Sequence, residues 1–529
     1  KSKNTLKVGS VLAKNPPKIR KTGVKRTMEA IEYVTQDLAP NDVFKLFEDI
    51  SKIARPTGEP KNQSAIIDFI SNTLREHDIA TRKDEAGNLY AYKSATEGCE
   101  SVPGILFQAH VDMVCAPNED IFPLKLVVEN GYLHADGTSC GLDNGMGVAL
   151  AMSLLINSPK NHGKLEAAFT LNEDTDCYGA INMKSGYVTS KYMISLDDES
   201  WGKICIGSAG AEAYTHTLPF KAEPVENGQT CLSIKVSGLS GGHSGYSIHK
   251  RQANAIAVCA WILEDIITTF ENDNINLVSI NGGVADNAIP YECEMVIAVA
   301  SQSITEITDH VAAEASEIKS RCANTDKDMI ISVEKIDRQA TCLNYFATKA
   351  FVDSIATCPN GALEWHKNDD GSREIQTSSN LAIVKTETDR IIVRTLSRSS
   401  VESEIAETVN DIKNAFARNF ADATSVNHSS ALCWEPDWDS KFLQIAKDVF
   451  KQQNGTEAEI YAPHCYMEGA YFVKIHGLLP IALGPQIDGA HTVEERVNIE
   501  TVGKCRKLVV GIVESIAKRE NGMAKQDIR

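Results

Sequence analysis

Glu173 and Asp174 stand side by side in the stretch TLNEDTDCYGA, residues 170–180. The apolar run LEAAF before them reads as a buried strand, so both acids fall at its tip. Adjacent carboxylates repel one another, and the pair becomes tolerable only where cations offset it. Other residues able to hold a metal recur in the same setting. His110 and Asp112 stand two apart in FQAHVDMV and so share one strand face. Asp143 stands at the head of GLDNGMGVALAM, Asp197 follows MISL directly, and His491 follows IALGPQIDGA. In open α/β sheets, sites form at the edge where strands hand over to loops.

Taken singly, each residue has an ordinary explanation: a lone histidine packs, and an aspartate after a strand caps a turn. Together they make five ligands and two auxiliary acids in one repeated context. Carboxylates and imidazoles without thiolate suit zinc, cobalt or manganese. Two histidines and three carboxylates suffice for two divalent cations if one carboxylate bridges them, and such pairs polarise a carbonyl together. Asp143 is the candidate bridge. His110 and Asp197 complete one centre, Asp174 and His491 the other. Asp112 orients the His110 ring. Glu173 stays unligated and carries the proton from water to a leaving amine.

These residues need a scaffold. At 529 residues the chain exceeds one ordinary core. A hydrophobic content of 43% and a charged content of 23% are those of a soluble globular protein. No apolar run approaches the length of a membrane span, and a net charge of −18 argues against nucleic-acid binding. Residues 1–26 carry nine Lys/Arg and no Asp/Glu. Residues 1–28 are therefore expected to be a disordered basic tail, with organelle targeting left open and a cytoplasmic location otherwise expected. Fourteen cysteines without a Cys-x-x-Cys pair point to reduced thiols.

Strand-like runs NLYAYKSA, GILFQAHVDMV, LEAAFTL and KYMISL alternate with helical ones, predicting an α/β fold with a mixed, largely parallel sheet. GLDNGMGVALAMSLLI is apolar nearly all round, as a helix buried between layers is. From about residue 211 the texture becomes α+β. TCLSIKVSG, YECEMVIAVA and MIISVEKI read as antiparallel strands solvated on one face. The expected organisation is a catalytic domain in two pieces, 29–210 and 431–529, with a lid inserted at 211–430.

Several longer segments sharpen this. FQAHVDMVC, GTSCGLDNGMGVALAM, HGKLEAAFTLNED, ISLDDESWGKICIG, VSGLSGGHSG, NGGVADNAIP and PHCYMEGAYF resemble the cocatalytic dizinc exopeptidases, in particular the aminoacylhistidine (Xaa-His) dipeptidase branch. The resemblance covers nearly the whole chain after the tail. It implies the zinc-exopeptidase fold with an inserted lid, two divalent metal ions, most simply zinc, and the roles given above. It adds His243 in GGHSG as a contact to the scissile carbonyl oxygen and Asn287 in DNAIP as a further polar contact. It adds Arg398 in SRSS for the substrate carboxylate and Glu468 in YMEGA for the substrate amine. Two departures stand out. The family pair Glu-Glu is here Glu173-Asp174, and a basic residue usual before NAIP is here Asp286, which could alter substrate charge preference.

The implied activity is hydrolysis of small dipeptides, Xaa-His among the candidates, by a metal-dependent dipeptidase acting as a monomer or a homodimer. The alternatives are an N-acyl amino-acid deacylase or tripeptidase on the same scaffold, an aminopeptidase for longer peptides, and a binding protein that has lost catalysis.

Overall fold

The computed structural model describes residues 33–367 and 371–526. The basic tail expected at 1–28 lies outside the described residues.

An eight-stranded sheet joins the first part of the chain to two strands from its last part. Its order is Ala80–Lys83, Leu89–Lys93, Leu165–Thr170, Ile105–His110, Tyr192–Ser195, Leu479–Ala482, Lys203–Cys205 and Glu459–Tyr461. Ile105–His110 runs parallel to both of its neighbours, and Tyr192–Ser195 runs parallel to Leu479–Ala482. Antiparallel pairings flank this centre. The sheet is thus mixed with a parallel core, as the alternation of elements predicts.

The central strands are buried throughout, and mostly apolar, because successive residues feed two different cores. Ile105, Phe107 and Ala109 face a large cluster, which also takes Leu165, Ala167 and Phe169. The intervening Leu106, Ala168 and Met193 face a smaller one with Phe472 and Leu478. Burial on both faces leaves no polar alternation to see. The large cluster is closed by helix Asn41–Ile50 (Val43, Phe44, Phe47), helix Leu142–Ile156 and the C-terminal helix Ile499–Gln526 (Leu508, Val509, Ile512). Helix Leu142–Ile156 packs directly on the sheet. A Cβ on Gly147 would lie 1.8 Å from Asn144 Oδ1 and 2.5 Å from the carbonyl oxygen of Leu196, so only glycine permits this approach.

A second, all-antiparallel sheet has nine strands. Its path runs Ile330–Ile336, Gln229–Ser237, Cys293–Ala300, Asn276–Gly282, Arg373–Thr386, Arg390–Ser399, Gly210–Pro219 and Thr424–Ala431, with Gly361–Lys367 added to Arg373–Thr386. Four helices, Ala255–Thr269, Ile304–Cys322, Tyr345–Thr357 and Glu402–Ala417, contribute to the cluster on one face. The other face is not simply solvated, contrary to the sequence expectation. Val225, Cys231, Val296, Ala298 and Cys342 form a small apolar patch there. The two-stranded pair Glu223–Pro224 and Thr341–Cys342 supplies Cys342 to it and ends beside Val225, and the middle of Cys293–Ala300 is buried on both sides.

The chain passes between the sheets twice, and the two passages are bonded to each other. Ser208 N–H donates to the Trp434 carbonyl at 2.8 Å, and Trp434 N–H donates back at 3.0 Å. A small sheet of Ile487–Asp488, Arg496–Asn498, Tyr132–Ala135 and Leu126–Glu129 carries the loop with His491. None of the fourteen cysteines forms a disulfide.

Replacing Gly147 by alanine forces the helix away from the end of strand Tyr192–Ser195. Overpacking of this kind costs about 1–3 kcal/mol, read as a lowered urea midpoint. Unchanged stability of Gly147→Ala contradicts the packing described.

Candidate metal centre

His110, Asp143, Glu173, Asp174, Asp197 and His491 converge at one edge of the eight-stranded sheet. Asp143 lies between the histidines. Its Oδ1 is 3.1 Å from His110 Nε2 and its Oδ2 is 3.0 Å from His491 Nε2. Each histidine faces one more carboxylate on the same nitrogen: Asp197 Oδ1 at 3.5 Å from His110, and Asp174 Oδ1 at 3.0 Å from His491. Two three-residue donor sets result, His110–Asp143–Asp197 and Asp143–Asp174–His491, each with its atoms within 4.8 Å of one another. A third set, His110–Glu173–Asp174, brings Glu173 to the same place. The shortened acid at 174 therefore still reaches its histidine.

Local structure fixes each group. Strand Ile105–His110 ends at His110, so Asp112 lies just past the strand. Its Oδ1 is 3.4 Å from His110 Nδ1. Asp112 also accepts the backbone N–H groups of Glu173 at 3.0 Å and Asp174 at 3.3 Å. It thereby holds both adjacent acids as well as the ring. Asn144 donates to the Leu196 carbonyl at 3.0 Å and to Asp197 Oδ1. His491 does not stand at the end of a main-sheet strand, as the sequence suggests. Its loop belongs to the small sheet, where it adopts φ +64°.

Glu495, four residues after His491, is a support that sequence reasoning misses. It is 1% exposed. Its Oε2 accepts the N–H groups of Cys140 and Gly141, both at 2.7 Å; its Oε1 accepts those of Leu142 at 2.8 Å and Asp143 at 3.0 Å. One carboxylate thus satisfies four successive N–H groups of the turn that leads into helix Leu142–Ile156, where Asp143 and Asn144 still depart from helical geometry, and ties the Asp143 turn to the His491 loop. The signal in the sequence is faint: the Asp-Asn pair of GLDNG reads as an ordinary helix start and does not show that the N–H groups before it need an acceptor. Beneath the same loops Arg55, wholly buried, donates to the carbonyls of Val111, Asp112 and Gly141.

The electrostatics call for cations. Burial, then the charges of Asp197, Glu468 and Asp174, pushes the Glu173 carboxyl well above the usual range. Burial and the charges of Asp143 and Asp197 raise Glu199 to about 8. His491 is raised to about 11 by its bonds to Asp143 and Asp174. His110 is raised well above its ordinary value because the carboxylates around it outweigh its burial. Asp174 Oδ2 is buried without a hydrogen-bond partner. So many clustered acids around two imidazoles are a poor arrangement alone. The all-oxygen-and-nitrogen donor set and the orphaned oxygen fit hard or borderline divalent cations.

The remaining expected residues lie around this centre. Glu468 is 2% exposed and sits beneath the strand ends, accepting from Gln108 at 2.5 Å and Thr170 at 2.7 Å. Burial raises it to about 8, and its Oε1 has no partner. His243 accepts the Gly245 N–H on Nδ1 at 3.1 Å, which leaves its proton on Nε2. Burial and the Arg398 charge lower its pKa. No hydrogen bond or ion pair joins it to the candidate metal ligands among the described residues. The Asn287 carbonyl accepts from Ser244 N–H at 2.7 Å, while its side chain is exposed. Arg398 is 3% exposed and lies under the influence of Tyr246, Cys465 and Tyr466. Asp286 does not stand as a free charge near substrate. Its carboxylate is taken by Arg394 and by His428 Nε2 at 2.9 Å.

Residues 106–515 match the family described as Peptidase family M20/M25/M40. The chain is 26% identical over 486 residues to the cytosol non-specific dipeptidase of Escherichia coli (strain K12), covering 90% of this chain and 98% of that one. Among solved structures it resembles the aminoacylhistidine dipeptidase of Vibrio alginolyticus, with 25% identity, a TM-score of 0.84, and 91% and 98% of the two chains covered. The aminopeptidase PepT of Bacillus cereus shares the fold at 16% identity and a TM-score of 0.54, over 91% of this chain and 99% of that one.

Two outcomes follow from this geometry. Glu495→Gln sets an amide N–H₂ against two backbone N–H groups, so metal titration reads at least about tenfold weaker binding from the loss of charged hydrogen bonds; wild-type affinity contradicts the support role. Metal loading at pH 7 expels protons from His110 and His491, so affinity rises with pH and calorimetry in different buffers detects the release. Before loading, the His491 contacts add stability that is full below its ordinary 6.5 and is lost as the pH climbs towards about 11.

Proposed function

The chain belongs to Peptidase family M20/M25/M40, and from that premise we propose that it is a metal-dependent dipeptidase holding two divalent cations, most simply zinc. The observation that carries this is the shared carboxylate, Asp143, with a histidine and a further aspartate on either side. His110, Asp143 and Asp197 would hold one cation; Asp143, Asp174 and His491 the other. When bound, such a pair polarises a peptide carbonyl and lowers the pKa of water.

The chain's own groups do the rest. Asp112 keeps His110 oriented through Nδ1 and fixes the backbone of Glu173 and Asp174. Glu173, whose carboxylate burial and the neighbouring acids make more basic than usual, would take a proton from the attacking water in its ionised form and hand it to the departing amine. His243 is neutral, with its remaining N–H on Nε2, and donates to the oxygen on which charge develops. Arg398 receives the free carboxylate of a short peptide, with Asn287 and Glu468 as further polar contacts. The names of the Escherichia coli and Vibrio alginolyticus relatives support dipeptides as the substrate class and a cytoplasmic setting.

The test is hydrolysis of a panel of dipeptides, a tripeptide and an N-acyl amino acid, with and without chelator. Chelator-sensitive cleavage of dipeptides is expected; preference for the acyl amino acid or the tripeptide favours the neighbouring activities instead. Glu173→Gln is expected to keep its metal content while kcat falls by about 10²–10⁴-fold. Loss of metal in that variant contradicts the division of roles between 173 and 174.

A further inference from the structure

Arg398 carries an unmet demand. It is 3% exposed, and its Nε and Nη1 are buried with no hydrogen-bond partner. A buried guanidinium in that state is costly unless an anion completes it. A second unmet group stands beside it. His464 Nδ1 is buried and has no partner, while its Nε2 is 2.7 Å from Ser378 Oγ. Ser378 is the cross-strand partner of Arg398 in the nine-stranded sheet. Directly opposed residues point to the same face, so one strand pair sets His464 and the guanidinium over a common spot.

The same spot is closed by the segment that bears His243. A Cβ on Gly245 would lie 2.8 Å from the His464 carbonyl oxygen, and Tyr246 Oη is 3.5 Å from Cys465 Sγ. Cys465 and Tyr466, which follow His464, feel both the positive charge of Arg398 and the negative charge of Glu173. The guanidinium and the Glu173 carboxyl thus act on the same two residues. Burial and the Arg398 charge push the His464 pKa down to about 3. The ring is neutral at working pH and carries one proton. A Ser378 hydroxyl donating to Nε2 leaves that proton on Nδ1, the nitrogen without a partner.

We infer that His464 determines specificity by donating its Nδ1–H to the substrate's terminal carboxylate, which it grips together with Arg398. Ser378 is a positioning residue that selects the tautomer. The inference rests on the dipeptidase reading. It makes carboxylate recognition a two-part device: a charge that attracts any anion, and a neutral directional donor that demands an oxygen acceptor at one place.

The experiment separates the two claims. Metal-loaded Glu173→Gln protein, in which turnover is suppressed, is titrated with alanyl-alanine and with its C-terminal amide. His464→Ala in that background is expected to weaken dipeptide binding by about 10–100-fold, the range for a hydrogen bond to a charged group, and to change amide binding by less than about threefold. An asparagine amide nitrogen falls where Nδ1 lies and a glutamine one where Nε2 lies. His464→Asn should therefore retain most of the affinity and His464→Gln should behave like alanine. Ser378→Ala should fall between wild type and His464→Ala. Metal content and melting temperature, unchanged across the set, exclude a general loss of structure; if the alanine variant does not fold, the Asn/Gln contrast decides. Equal losses on dipeptide and amide, no loss on the dipeptide, or indistinguishable Asn and Gln variants overturn the inference. Turnover by the wild-type protein judges the dipeptidase reading separately: absence of cleavage defeats that reading, while the binding pattern still decides the role of His464.

Discussion

Asp143 presents one oxygen to His110 and the other to His491, and the residues around it are arranged to keep those two directions fixed. A carboxylate offered to two imidazoles accepts a hydrogen bond from each while the rings are protonated, and would be shared by two cations bound in the protons' place. The second arrangement would relieve the crowding. Asp174 and Asp197 each approach one histidine on the nitrogen that already faces Asp143, and like charges at such range are tolerable only with compensating positive charge.

Holding Asp143 takes contributions from distant parts of the chain. Its turn hangs by four N–H groups from Glu495, which ties the loop carrying His491 to the loop carrying Asp143. Asn144 couples the turn to Asp197, and Gly147 lets the helix settle against Leu196. Asp112 makes the equivalent link between His110 and the acids at 173 and 174. Each ligand is thus tied through backbone groups to the element that holds another. The cross-linking is what lets loops, which are ordinarily mobile, present ligands at fixed separations.

Much of this could be read in the sequence because the relevant elements are short-range. The mostly apolar strands ending at His110 and Thr170 announce double-sided burial, and the acids follow immediately. The nearly all-apolar run from Leu142 announces a helix between layers. What could not be read depends on partners far away in the chain. Nothing in VEERV distinguishes buried Glu495 from Glu494, because the groups it satisfies are backbone N–H groups more than 350 positions earlier. Asp286 looks like a change of charge at the substrate until Arg394 and His428 are found on it. The patch on the second face of the nine-stranded sheet gathers Val225, Cys231, Val296, Ala298 and Cys342 from separate segments, which only the folded chain brings together. His464 needs Ser378 and Arg398, which only the pairing of two strands brings to it.

The most direct measurement is anomalous scattering from crystals grown with zinc, recorded on either side of the absorption edge. Two peaks about 3.5–4 Å apart, one beside His110 and Asp197 and the other beside Asp174 and His491, with Asp143 between them, are the expected result. A single peak, or two peaks of which Asp143 contacts only one, contradicts the shared-carboxylate centre.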